Sequence, residues 1–186
     1  PDGAPPVKDA DPDNQLPGRV SQLYTNQIIP YYRAPHILLG FPTRYVDYGW
    51  TESTRNLPQQ KMRKRRESRG GTRSATAMTD GMFMSSRDGR NFRRWSEAFI
   101  RPGIGRPGSW VYGDNSVAWG MIETKSLLAG APDELSLYVT DGYWTGKSMN
   151  VRRYTLRIDG FVSVRADSDG GEILTKPLIF DGKKLV

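Results

Sequence analysis

Apolar and polar residues alternate position by position through residues 134–140, so that Leu135, Leu137 and Val139 fall on one face of a strand. A second alternating run covers 153–158. Shorter β-like runs cover 23–29, 36–41, 43–46, 81–86, 91–95, 118–124 and 161–164. Asp88-Gly89 and Asp159-Gly160 each precede an aromatic-led run and supply the turn chemistry that tight hairpins prefer. Outside residues 47–76 no amphipathic stretch is long enough for a helix of about three turns. The pattern predicts an all-β fold built from antiparallel meanders.

The runs fall into two units with the same order: an inner strand, a strong strand, a strand ending in Asp-Gly and an aromatic-led return. The two Asp-Gly pairs lie 71 residues apart. Setting aside the insertion at about 47–76 leaves about 41–45 residues, near the length of a four-stranded propeller blade. Residues 1–20 read as an irregular lead-in, 21–165 as two blades and 166–186 as an exit segment toward a further domain. Such blades need neighbours to cover their faces. The chain also opens at Pro1 without a Met and stops at Val186 in a strand-like stretch. The expectation is therefore a segment of a longer polypeptide, with the remainder of that polypeptide or a companion chain as its neighbour.

Composition removes several classes of chemistry. The 186 residues include no Cys and a single His, His36, which excludes thiolate sites, a Cys nucleophile and a multi-histidine zinc site. With a mean hydropathy of −0.62 and no long apolar run, a bilayer-spanning helix is excluded and no membrane partner is expected. The net charge is +7, and residues 61–73 carry nearly all of it: Lys61, Arg63, Lys64, Arg65, Arg66, Arg69 and Arg73 against Glu67. Clustered cations of this kind bind polyanions. The competing account is a solvated loop or short surface helix, which the absence of aromatics for base stacking favours, so nucleic acid is the weaker partner. Residues 9–14 are acidic but lack the Gly and Glu of a calcium loop. The spacing Gly103-x-Gly105-x-x-Gly108 carries prolines that block the helix a dinucleotide site needs. No cofactor and no metal are expected.

Several phrases carry a resemblance: Leu23-Tyr24-Thr25-Asn26, His36-Ile37-Leu38-Leu39-Gly40-Phe41-Pro42, and Ser86-Arg87-Asp88-Gly89 followed by Phe92-x-x-Trp95. Leu156-Arg157-Ile158-Asp159-Gly160-Phe161-Val162-Ser163 continues it. Together they resemble bacterial five-bladed β-propeller glycoside hydrolases of the fructosidase and arabinanase type. The resemblance implies the last two blades of such a propeller, with a β-sandwich following the Thr175-Lys176-Pro177-Leu178 stretch. It also implies that most of the family's catalytic carboxylates lie on blades outside these residues, and none is matched onto this chain.

Glycoside hydrolysis needs two carboxyl groups across the scissile bond. Glu123, after an apolar run on an expected inner strand, and Asp114 form the candidate catalytic pair; burial would raise Glu123 toward the range of a general acid. A structural carboxylate near the axis is the competing account of Glu123. Asp80 and Asp114 lie at strand mouths, Asp47 begins the insertion, and Asp88 and Asp159 read as turn residues. Sugar rings pack their CH faces on aromatic planes while polar groups bond the hydroxyls. Trp110, Tyr112 and Asn115 in one loop, Tyr143 and Trp144 in another, and Trp119, His36 and Asn26 are the candidate substrate-binding residues, with core packing as the alternative for the aromatics. The predicted function is a carbohydrate-active, glycoside-hydrolase-like protein; the alternative is a non-catalytic propeller module that binds glycan or protein.

Overall fold

A computed structural model describes residues 8–9, 21–111, 113–147, 149–175, 177 and 179. Most of the expected lead-in, and the end of the exit segment from residue 180, lie outside the described residues. The described chain is mostly antiparallel β-sheet with few helices, so the all-β expectation holds at that level.

The first sheet contains β1 (Lys8–Asp9), β2 (Ser21–Leu23), β3 (Ile29–Tyr31), β4 (Ala34–Gly40), β5 (Thr43–Asp47), β6 (Ala77–Ser86) and β7 (Arg93–Ile100). Its order is β1-β7-β6-β4-β3, with β5 between β2 and β6. β4 pairs with β6 at Gly40↔Met84 and β5 pairs with it at Thr43↔Gly81, in one unbroken register. The Met82 N–H bridges the gap by donating to the Pro42 carbonyl at 2.9 Å. β2 runs on toward β3 in the same way, through Tyr24 N–H to the Thr43 carbonyl at 2.8 Å and Phe41 N–H to the Asn26 carbonyl at 3.1 Å. Gln27, at φ 44°, then breaks the register. The strand expected at 23–29 is therefore a bulged ladder, regular only at its two ends. Taken as continuous segments, the sheet is an up-and-down meander with β1 added in parallel at its β7 edge.

The second sheet is the meander β8 (Ile122–Thr124), β9 (Glu134–Asp141) and β10 (Asn150–Arg157), in order β10-β9-β8. Pairing extends upstream of β8 through Val117↔Val139. No strand forms at 161–164, where a return was expected. Asp159 takes φ 63° and accepts the Tyr31 hydroxyl at 2.5 Å, tying the turn to β3. Phe161 then folds inward and stacks on Phe83 with centroids 5.4 Å apart. An aromatic committed to the core leaves no extended segment to pair with β10, and Val164 is left exposed.

The two sheets share one apolar core. Leu39, Phe41, Phe83 and Ile100 of the first meet Val117, Leu135, Leu137 and Val139 of the second. The alternation in 134–140 is the cause on the second sheet's side: its odd-numbered residues are all buried.

The basic insertion folds into α1 (Glu52–Arg55), α2 (Gln60–Gly70) and α3 (Arg73–Thr76). Thr51 caps α1 in a capping box with Thr54. α2 docks through arginines rather than aliphatic residues. Arg63 is wholly buried, donates to the carbonyls of Pro58 at 3.2 Å and Ala75 at 3.1 Å, and lies 5.7 Å from the Trp110 ring. Arg66 lies 4.2 Å from the Trp144 ring and donates to the Ser74 carbonyl. Guanidinium planes bury well on indole faces, so this side of the helix is a docking face and not a solvated one. Among the described residues no helix is long and apolar enough to cross a membrane.

Candidate functional site

Beyond the apolar core, the inner face of β5 and β6 turns polar. Along one side of the strand, Phe41 in the core is followed by Thr43 and Tyr45, and Tyr45 pairs with Thr79 of β6. Here a cleft of about 350 Å³ opens. Hydroxyls of Thr43, Thr79, Ser116 and Thr140 line it, Tyr24, Tyr45 and Tyr143 supply aromatic surface, and Met149 and Asp114 complete it. The hydroxyls are already ordered. Thr43 donates to Ser116 Oγ at 3.1 Å and accepts from Thr25 at 3.0 Å.

Asp114 is the titratable centre of the cleft. It sits on the stretch 113–116, which crosses close over β6. Thr79 Oγ1 donates to the Asp114 carbonyl at 3.1 Å and accepts its N–H at 2.8 Å. The approach requires Gly113: its φ is 104°, and a Cβ there would stand 2.1 Å from the Thr79 carbonyl oxygen. Asp114 and Asn115 follow with φ of 144° and 54°, so three successive residues adopt positive φ. Asp114 Oδ2 accepts the Tyr143 N–H at 2.6 Å, while Oδ1 is buried without a partner among the described residues. Burial pushes the Asp114 carboxyl up to about 7; the neighbouring Asp141 pushes the same way, and the backbone amides of Tyr143 and Gly142 and the Arg66 charge oppose it. A carboxyl so placed can hold a proton near neutral pH.

Asp114 and Tyr143 are the two expected site residues that meet in the cleft. Trp110 was expected on an exposed loop but is 5% exposed beneath α2, where Arg63 covers its ring; it offers no sugar platform. Asn115 is buried behind Asp114, its Nδ2 without a partner among the described residues. Tyr112 lies outside the described residues. Trp144 faces Arg66 at φ 64° and meets Tyr143 edge-on at 6.0 Å. Trp119 is 73% exposed, donates to the Ile28 carbonyl at 3.2 Å and does not line the cleft. His36 and Asn26 are exposed and do not line it either.

Glu123 departs most from expectation. β8 is a short edge strand, and its Glu123 side chain is exposed, accepting the Tyr32 hydroxyl at 2.5 Å instead of being buried. It does not line the cleft with Asp114, so the expected carboxylate pair does not assemble there. Asp80 forms a bidentate pair with Arg44 at 2.9 and 2.6 Å, and Asp47 accepts the Thr76 hydroxyl at 2.6 Å. Asp88 is the turn residue its Gly neighbour implied. Its carboxylate accepts from Asn91 and Arg90 and is held well below the usual range, the Asn91 side chain contributing most.

The sequence reading missed Thr43, Thr79, Ser116 and Thr140. The available signal was a switch from Phe to Thr on the core-facing side of strand 43–46, where alternation otherwise demands an apolar residue. Among the described residues no group of His, Cys, Asp or Glu is arranged to hold a metal ion. No protein family, curated protein or solved structure matches the chain.

Proposed function

We propose that this protein binds carbohydrate in the Asp114 cleft. One observation carries the reading: a cleft lined by threonines, a serine and tyrosines around the buried Asp114 carboxyl. A saccharide presents hydroxyls that need ordered donors and acceptors, and CH faces that need flat apolar surface. Thr43, Ser116 and Thr140 and three tyrosines of the lining offer both. The cleft volume falls within the usual range for small-ligand sites, about 300–1,000 Å³. The two meanders, which follow one another in sequence and share a core, are compatible with adjacent propeller blades, the architecture expected from the resemblance.

Glycoside hydrolysis is the second reading, and the raised Asp114 carboxyl favours it, because a general acid must keep its proton near working pH. Its partner carboxylate would be Asp141, which acts electrostatically on Asp114 and is ion-paired to Arg152 at 2.5 Å.

Calorimetric titration with a panel of oligosaccharides tests binding. At least one class should bind, and Asp114→Asn and Tyr143→Ala should each weaken it about tenfold or more, equivalent to about 1.4 kcal/mol. Failure of every class to bind, or unchanged affinity in both variants, would refute the proposal. Reducing-sugar release that disappears in both Asp114→Asn and Asp141→Asn would support hydrolysis; release by either variant at the wild-type rate would exclude it.

A further inference from the structure

We infer that the outward face of α2 is a track for an anionic polysaccharide whose end enters the Asp114 cleft. The inference rests on the carbohydrate reading and names the saccharide class. Lys61, Lys64, Arg65 and Arg69 are all exposed. Their spacing places them on one side of the helix, over about 12 Å at 1.5 Å per residue. Among the described residues none of the four takes part in an ion pair. Glu67, the acid of α2, is engaged elsewhere, accepting the Trp50 indole N–H at 2.8 Å and the Thr72 hydroxyl at 3.1 Å. Cations one turn apart repel each other and weaken a helix. Such a stripe costs stability unless an anion neutralises it.

The helices of the insertion are docked beside the cleft. Arg63 and Arg66, on the inward side of α2, are seated on Trp110 and Trp144, in the loops that also carry Asp114 and Tyr143. Arg73 opens α3 and lies 4.6 Å from the ring of Tyr45, a cleft residue. α2 is therefore docked on the loops that carry the cleft residues, with its exposed cations on the other side of the helix. The cleft would take sugar hydroxyls and the track the carboxylates or sulfates of following units. α2 carries no aromatic residue on which a nucleic-acid base would stack. That absence favours a polysaccharide over a nucleic acid.

The test measures affinity of the full chain for size-matched neutral oligosaccharides, oligosaccharides bearing a carboxylate or sulfate on each unit, and single-stranded DNA of equal charge. Each is titrated at about 50 and about 200 mM salt, by analogy with the polyelectrolyte behaviour of single strands. The anionic saccharide should bind about tenfold or more tighter than its neutral counterpart at low salt. With four cations engaged, its affinity should fall about fifty-fold across that range. A variant with Lys61, Lys64, Arg65 and Arg69 all changed to Gln should lose the preference and most of the salt dependence while binding the neutral saccharide as before. These side chains are exposed, and circular dichroism of the variant checks the fold. Equal affinity for anionic and neutral saccharides, or an unaltered salt slope in the variant, would overturn the track and leave the cleft reading standing. Tighter binding of DNA than of the anionic saccharide at both salts would overturn it in favour of nucleic acid. Failure of both saccharide types to bind would remove the cleft reading and the track together.

Discussion

Replacing Asp114 by Asn removes a carboxyl that the fold holds away from water, and the effect on stability has a defined pH signature. In the folded protein this carboxyl titrates at about 7, against an ordinary value of 3.8. The folded state therefore binds more protons than the unfolded chain between those values, and stability falls as pH rises through that window. Below about pH 4 both states are protonated and the carboxyl costs nothing; above about pH 7 its cost is complete. At about 1.36 kcal/mol per pH unit the full difference is about 4 kcal/mol, of which about 2.6 kcal/mol falls between pH 5 and pH 8. Asn keeps an oxygen to accept the Tyr143 N–H but cannot ionise. Urea denaturation of both proteins at pH 5, 6, 7 and 8 reads the effect directly. Wild type should lose about 2 to 3 kcal/mol more than Asp114→Asn across that range. Parallel pH profiles would show that Asp114 is solvated and ionised throughout, and would refute the account of the cleft.

Gly113→Ala should cost about 3 kcal/mol or more, because its Cβ would meet the Thr79 carbonyl at 2.1 Å and φ is 104°; a melting temperature within a degree or two of wild type would contradict this packing. Arg63→Lys keeps the charge but loses the paired carbonyl bonds and the indole contact, so it should cost about 2–3 kcal/mol. Limited proteolysis should then cut first within residues 52–76, and an unchanged digestion pattern would count against the docked helix. For Arg44 and Asp80, whose side chains are 10% and 20% exposed, a double-mutant cycle should give a coupling of about 1–3 kcal/mol. A coupling near zero would mean the pair is solvated.

What the sequence disclosed follows the physics of each signal. Alternation at 134–140 was legible because a strand facing an apolar core writes its period into residue type. The turn at Asp88-Gly89 was legible because few residues satisfy that backbone. By contrast, 161–164 has the composition of a strand, and what prevents one is tertiary: Phe161 stacks on Phe83, far away in sequence. The docking face of α2 escaped notice because arginines on indoles do the work usually given to aliphatic side chains, and hydrophobic periodicity does not register them. Asp114 was found by composition of its loop, whereas the burial that raises its carboxyl depends on Gly113 letting that loop cross close over Thr79 of β6. Glu123 looked central because an apolar run precedes it, but β8 is an edge, and edges expose what central strands bury.

The central claim is that the cleft around Asp114 receives a saccharide. Amide-resolved NMR titration of the full chain with oligosaccharides, neutral and acidic, measures this without assuming catalysis. Perturbations should concentrate at Tyr24, Thr43, Thr79, Asp114, Ser116, Thr140 and Tyr143, and spread to α2 for acidic saccharides alone. Perturbations centred instead on Trp119 and Glu123, or none with any saccharide, would contradict it.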